Sequence, residues 1–87
     1  MRYTVTTAAE ARELLAAIWV SSPSSLRREI ARSSARIDAE LRDDPVAKGV
    51  YLNEGLHRID APPLRVYFTV NESDRIVTIT DYLLLIG

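Results

Sequence analysis

Two side chains able to engage an anion, Arg65 and Tyr67, stand two residues apart in the run LRVYFTV from Leu64 to Val70. Apolar Leu64, Val66, Phe68 and Val70 alternate with Arg65, Tyr67 and Thr69, the period-2 pattern of a strand that buries one face, so the arginine and the tyrosine project together from the other. Arginine carries a planar, weakly hydrated fork of donors that fits phosphate and carboxylate oxygens. His57 and Arg58 lie a short way upstream, and His57 is the one histidine of the chain, the residue type suited to proton transfer near neutral pH. Against that stands the plainer reading, since a lone histidine on a strand is more often a surface residue than a base. A second basic feature, Arg28, Arg32 and Arg36, follows the i, i+4, i+8 spacing of one helical face. Such a stripe suits a phosphate backbone or an acidic partner and would bind with strong salt dependence. Glu29, Glu40 and Asp38 fall within a helical turn of Arg32, Arg36 and Arg42, however, and a solvated, salt-bridged face accounts for the same pattern.

The elements that hold these groups can be read from the spacing. Arg2 to Thr6 alternates as a short first strand. Thr7 with Glu10 has the capping-box spacing, which starts a helix at Ala8, and Ala11, Leu14, Leu15, Ile18 and Trp19 form its apolar face with Trp19 as a core anchor. Ser22 and Pro23 suit the N-cap and first turn of a second helix running to about Leu41, lined by Leu26, Ile30, Ile37 and Leu41, with Ser33 and Ser34 small enough for another helix to approach closely. A connection of a few residues makes the two helices an antiparallel hairpin. Asp43-Asp44-Pro45 ends the second helix. A strand then runs from about Leu56 to Asp60, Pro62-Pro63 turns it into the Leu64 strand, and the polar break from Asn71 to Asp74 leads to a last strand through the β-branched run Ile76 to Thr80. The order β-α-α-β-β-β is that of an α+β two-layer domain, an antiparallel sheet backed by a helical hairpin. Whether the first strand pairs with the third or the fourth is left open by the pattern.

Composition narrows the function classes. At 87 residues the chain is expected to be a single domain, 1–87, burying roughly 60–65% of the surface of its unfolded chain. With 47% hydrophobic and 26% charged residues it reads as an ordinary globular domain, not a disordered tail. It has no cysteine, so neither disulfides nor thiolate metal sites are available and a cytoplasmic location is the default. The N-terminal MRYTVTTAAE lacks a signal-peptide core, and the apolar runs Leu14 to Val20 and Tyr82 to Ile86 are far short of the ~18 residues a membrane span requires. A net charge of -1 provides no global attraction to nucleic acid, although every basic residue except Lys48 is an arginine. One histidine and scattered carboxylates make no metal cluster, and the three glycines make no phosphate loop, so no cofactor is expected.

This order of elements, with EGLHRI before a tight turn, PPLRVYFTV, and DRIVTIT near the C-terminus, resembles the RelE/ParE superfamily of toxins from type II toxin–antitoxin modules. The resemblance covers most of the chain from the first helix onward and is most recognisable in the last three strands. It implies a cognate antitoxin as partner and, in the RelE-like branch, entry into the ribosomal A site and cleavage of messenger RNA. Arg65 takes the place of an arginine that opens the third strand, where it would hold the scissile phosphate and offset charge that grows during attack by the adjacent 2′-hydroxyl. Tyr67 would stack on a base or donate a hydrogen bond. Tyr82 is the C-terminal tyrosine candidate, and His57 and Arg58 are the nearest replacements for basic groups that active members carry and this chain lacks. The ParE-like branch implies a different outcome, a non-enzymatic inhibitor of DNA gyrase. A third outcome is a catalytically degenerate member that binds only its antitoxin, motivated by the aliphatic tail Leu83, Leu84, Leu85 and Ile86, which must either complete the core or receive a partner segment.

Overall fold

The computed structural model describes residues 2–85. Its elements are β1 (Thr4–Thr7), α1 (Ala9–Val20), α2 (Ser24–Asp43), α3 (Pro45–Lys48), β2 (Val50–Asn53), β3 (Leu56–Ala61), β4 (Leu64–Asn71) and β5 (Ile76–Leu84). They build one five-stranded sheet in the order β1-β5-β4-β3-β2. β2 to β5 form an antiparallel meander, and β1 joins the far edge parallel to β5, from Thr4 opposite Ile76 to Thr7 opposite Ile79. The α+β two-layer architecture matches the sequence reading. The pairing of the first strand resolves to the last one, and β2 and α3 are additions that the Gly-punctuated stretch after Pro45 did not announce.

The inner face of the sheet carries Ile59, Ala61, Leu64, Val66, Phe68, Val77, Ile79 and Tyr82, all buried against Ile30, Ile37 and Leu41 of α2 and Ala11 of α1. Full burial of an apolar side chain of this size contributes roughly 1.5–3 kcal/mol, which is why the alternation in β4 decides which way its polar residues point. Ser33 is buried too, but no helix approaches it. Its hydroxyl donates to the carbonyl of Pro62 at 2.9 Å, tying α2 to the cis Pro62-Pro63 turn between β3 and β4.

Several local expectations change. The N-cap of α1 is Ala8, with no side-chain cap, because Thr7 is still paired in β1 and its carbonyl accepts from Arg12. Ser22 caps no second helix. Its hydroxyl donates to the carbonyl of Ile18 at 2.6 Å, and Arg27 donates to the carbonyls of Trp19 and Val20, so the residues after α1 satisfy its otherwise unpaired C-terminal carbonyls. Trp19 is 41% exposed, with Arg27 over its ring at 5.8 Å, and is not a core anchor. The helices also do not pack as a tight hairpin. α1 rests on β5 and α2 on β3 and β4, which leaves a cleft between them.

Candidate functional site

Counting outward from the Pro62-Pro63 turn sets the register of the open, outer face. Ala61 pairs with Leu64, Asp60 with Arg65, and Arg58 with Tyr67. On the other side of β4, Arg65 faces Leu83 and Tyr67 faces Asp81. Side chains directly opposite one another on one face of a sheet lie within contact reach. The outer face therefore assembles Arg58, Asp60, Arg65, Tyr67, Asp81 and Leu83 on three adjacent strands, and no described helix packs over them. Arg65 and Tyr67 project together as their alternation requires, and Arg58 joins them.

A β-bulge fixes what β5 contributes. Phe68 pairs with Ile79 and Tyr67 with Asp81, so Thr80 has no partner of its own, and its hydroxyl donates to the carbonyl of Tyr67 at 3.3 Å. The extra residue reverses the alternation. Ile79 points in, Asp81 points out, Tyr82 points in, and Leu83, 45% exposed, lands beside Arg65.

Arg65 is not a free cation. Its Nε donates to Asp60 Oδ1 at 2.7 Å and its Nη2 to Oδ2 at 3.0 Å, a two-pronged pair with side-chain exposures of 25% and 37%. Asp60, with the Tyr67 hydroxyl second, holds the guanidinium even more firmly in its charged form than usual. In return the hydrogen bond from Arg65 holds the Asp60 carboxyl below its ordinary range in spite of partial desolvation, and Arg58 adds to the effect. Asp60 is the residue the sequence reading missed. Two guanidiniums and two carboxylates, Asp60 and Asp81, leave the patch without net charge. It can offer a two-oxygen anion the Arg65 N–H donors that Asp60 leaves unused and hydrogen-bond it through Tyr67, but it presents no imidazole.

His57 and Tyr82 are not part of this patch. His57 pairs with Phe68 and lies on the inner face, its ring stacked on Phe68 at 5.3 Å and edge-on to Tyr51 at 5.2 Å, and its Nδ1 is buried without a hydrogen-bond partner. Tyr82 is buried in the core, and burial pushes its hydroxyl pKa up. The sheet itself separates both side chains from Arg65, because neighbouring positions on a strand point to opposite faces. Of the expected tail, Leu84 and Leu85 are half-buried, Leu84 against the core and Leu85 with its N–H donating to the carbonyl of Pro63. Only Leu83 of the three is exposed, and Ile86 lies outside the described residues.

The stripe Arg28, Arg32 and Arg36 is exposed on α2, in the helix layer and away from the Arg65 face. Arg36 pairs with Glu40 at 3.4 Å and Arg42 with Asp38 at 2.7 Å, as the spacing suggested, while Arg28 and Arg32 make no ion pair among the described residues. The cleft between the helices, about 510 Å³, has Ile79 and Tyr82 as its floor and Leu15, Trp19 and Ile30 in its walls. Among the described residues no His, Cys, Asp and Glu group could hold a metal, and no helix is long and apolar enough to cross a membrane.

The sequence matches no family model and no curated protein. The structure is similar to solved ones. A chain of a RelBE toxin–antitoxin complex from Mycobacterium tuberculosis superposes with a TM-score of 0.76 at 18% identity, over 97% of this chain and 92% of that one. A chain of the RelE–RelB complex from the archaeon Pyrococcus horikoshii gives 0.60 at 18% identity, over 97% and 96%. The isolated RelE toxin of Escherichia coli gives 0.65 at 11% identity, over 98% and 86%. At these identities the likeness defines the fold.

Proposed function

Given a RelE fold along nearly its whole length, we propose that this chain is the toxin of a type II toxin–antitoxin pair, held inactive in the cytoplasm by a cognate antitoxin. The fold similarity to free and antitoxin-bound toxins is the observation that carries this reading. The open cleft between α1 and α2 suits the apolar side chains of an antitoxin segment, and the exposed Leu83 supplies a second, smaller contact.

The target face is the outer side of the sheet. Arg65 there holds a phosphodiester and stabilises charge that develops on it, Arg58 neutralises a neighbouring phosphate, and Tyr67 stacks on or hydrogen-bonds the nucleotide. This is the equipment of a RelE-like, ribosome-dependent endoribonuclease in which the substrate's own 2′-hydroxyl is the nucleophile. Induced expression should arrest growth, leave messenger RNA cut inside translated codons, and be relieved by co-expression of the antitoxin. Arg65→Ala should lose the arrest while still binding antitoxin. An equally toxic Arg65→Ala would overturn the assignment.

One observation favours a second reading. With His57 and Tyr82 turned inward and the outer face electrically neutral, the patch has a grip but little means of moving a proton. A toxin that acts by binding a protein such as DNA gyrase needs no more than that. Gyrase-trapped DNA breaks with intact messenger RNA would decide for it.

A further inference from the structure

Asp60 stands directly opposite Arg65 in the β3–β4 register and takes the Nε/Nη2 edge of its guanidinium, at 2.7 and 3.0 Å. A carboxylate and a phosphate present the same pair of oxygens to a guanidinium, and both satisfy the same Nε and Nη donors. One of the two edges of Arg65 that a backbone phosphate could use is therefore already occupied, by an anion from the same chain. The constraint is covalent and local. Asp60 and Arg65 are separated only by the Pro62-Pro63 turn and its first pair, Ala61 and Leu64, so the carboxylate is always within reach.

From this geometry we infer that Asp60 is an internal anion that occupies the Nε/Nη2 edge of Arg65 and competes there with any phosphate the outer face takes. The inference rests on the reading that this face receives a phosphate-bearing target, and it adds a residue that sets how tightly. The neutral patch then has a purpose. Free RNA with few contacts does not displace Asp60, whereas a target that also engages Arg58, Tyr67 and Leu83 does, so the protein discriminates against isolated strands. Asp60 acts here through Arg65 and is a positioning residue, not a catalytic one.

Two probes separate this inference from the reading it rests on. Inorganic pyrophosphate, titrated while the Arg65 Nε–H resonance is followed by NMR, tests the fork alone. A single-stranded oligoribonucleotide tests the RNA reading. Asp60→Asn keeps the size and polarity of the side chain and removes its charge. It should bind pyrophosphate up to about fivefold more tightly than the parent, the range over which an exposed ion pair competes. The gain should vanish in the Asp60→Asn/Arg65→Ala double variant and be reproduced by Asp60→Ser. For RNA, Asp60→Asn should show the same gain and a salt dependence steeper by about one phosphate contact. If pyrophosphate binds parent and Asp60→Asn equally, or the gain survives without Arg65, Asp60 is only a cross-strand pair and the inference is overturned, whatever RNA does. If pyrophosphate shows the gain and RNA binds no variant, the occupied edge stands and the RNA reading falls.

Discussion

Replacing His57 by phenylalanine distinguishes an inward-facing aromatic from a catalytic base, because the two roles predict opposite results. The imidazole stacks on Phe68 with ring planes 16° apart and meets Tyr51 edge-on at 74°, contacts that a phenyl ring can keep. Its Nδ1 is buried with no partner, and a buried polar atom left unpaired costs about 1–3 kcal/mol. Carbon in its place removes that penalty. Some of the gain is offset by the larger ring, since packing extra volume against a fully buried neighbour such as Phe68 strains it. The net expectation is a stabilisation of about 1 kcal/mol, or a rise of about 4–8 °C in Tm for a domain of this size. His57→Gln, which also abandons the stack, should instead lose about 0.5–1.5 kcal/mol. Urea and thermal unfolding measure the stability, and induced expression measures growth arrest, which should be unchanged in His57→Phe. A His57→Phe protein that is folded, stable and no longer toxic would put the imidazole in the chemistry and refute the face assignment.

Gly49 has ordinary extended backbone, so its constraint is purely steric: a Cβ there would lie 2.5 Å from Phe68 Cζ and 3.0 Å from the carbonyl oxygen of Pro45. Gly49→Ala should destabilise by about 1–3 kcal/mol in urea unfolding, and Phe68→Leu in the same chain should recover part of the loss. Gly55 differs, with φ of +82° and open space around it, so Gly55→Asn should be tolerated far better than Gly55→Val. The pH profile of stability should fall at both ends. Asp60 titrates below its ordinary 3.8 in the folded chain, so its contribution is complete above that value and drains away as the pH falls through the lowered one. Tyr82 titrates above its ordinary 10.0 because it is buried, so its contribution holds below that pH and is lost as the pH climbs through the raised value. Asp60→Asn should flatten the acid limb and Tyr82→Phe the alkaline one, both followed by thermal unfolding across pH.

How much of this was legible in the sequence depends on what each signal averages over. The alternation in Leu64 to Val70 sums three buried side chains and the half-buried Val70, and therefore placed Arg65 and Tyr67 on the open face correctly. The helices were legible from the same kind of sum, but their caps were not, because Thr7 and Ser22 each had a competing partner outside the helix, a strand neighbour for one and the preceding helix for the other. Trp19 sat inside an apolar stripe, yet a stripe defines a direction on one helix and cannot tell whether the next helix closes over it. Here α2 stands off and the indole borders a cleft.

The site shows the limit most sharply, because its membership is a matter of parity. His57 and Arg58 are neighbours, and a strand sends neighbours to opposite faces, so at most one of them can share a face with Arg65. Once Pro62-Pro63 is taken as the turn, counting back from it pairs Asp60 with Arg65 and Arg58 with Tyr67 and sends His57 inward, so both the neutralising aspartate and the exclusion of the histidine were available from the sequence. No such count works for β5. Strict alternation from Val77 and Ile79 would bury Asp81 and expose Tyr82, an unpaired carboxylate in the core against a phenol in water. One bulge residue, Thr80, reverses both assignments and brings Leu83 out beside Arg65. Removing that bulge is thus a test of the site as well as of the strand. Deleting Thr80 makes Ile79 and Asp81 consecutive, so plain alternation keeps Asp81 out, Tyr82 in and Leu83 beside Arg65. The variant should fold and still arrest growth, and a folded variant that is no longer toxic would refute the claim that the bulge matters only through the faces it assigns.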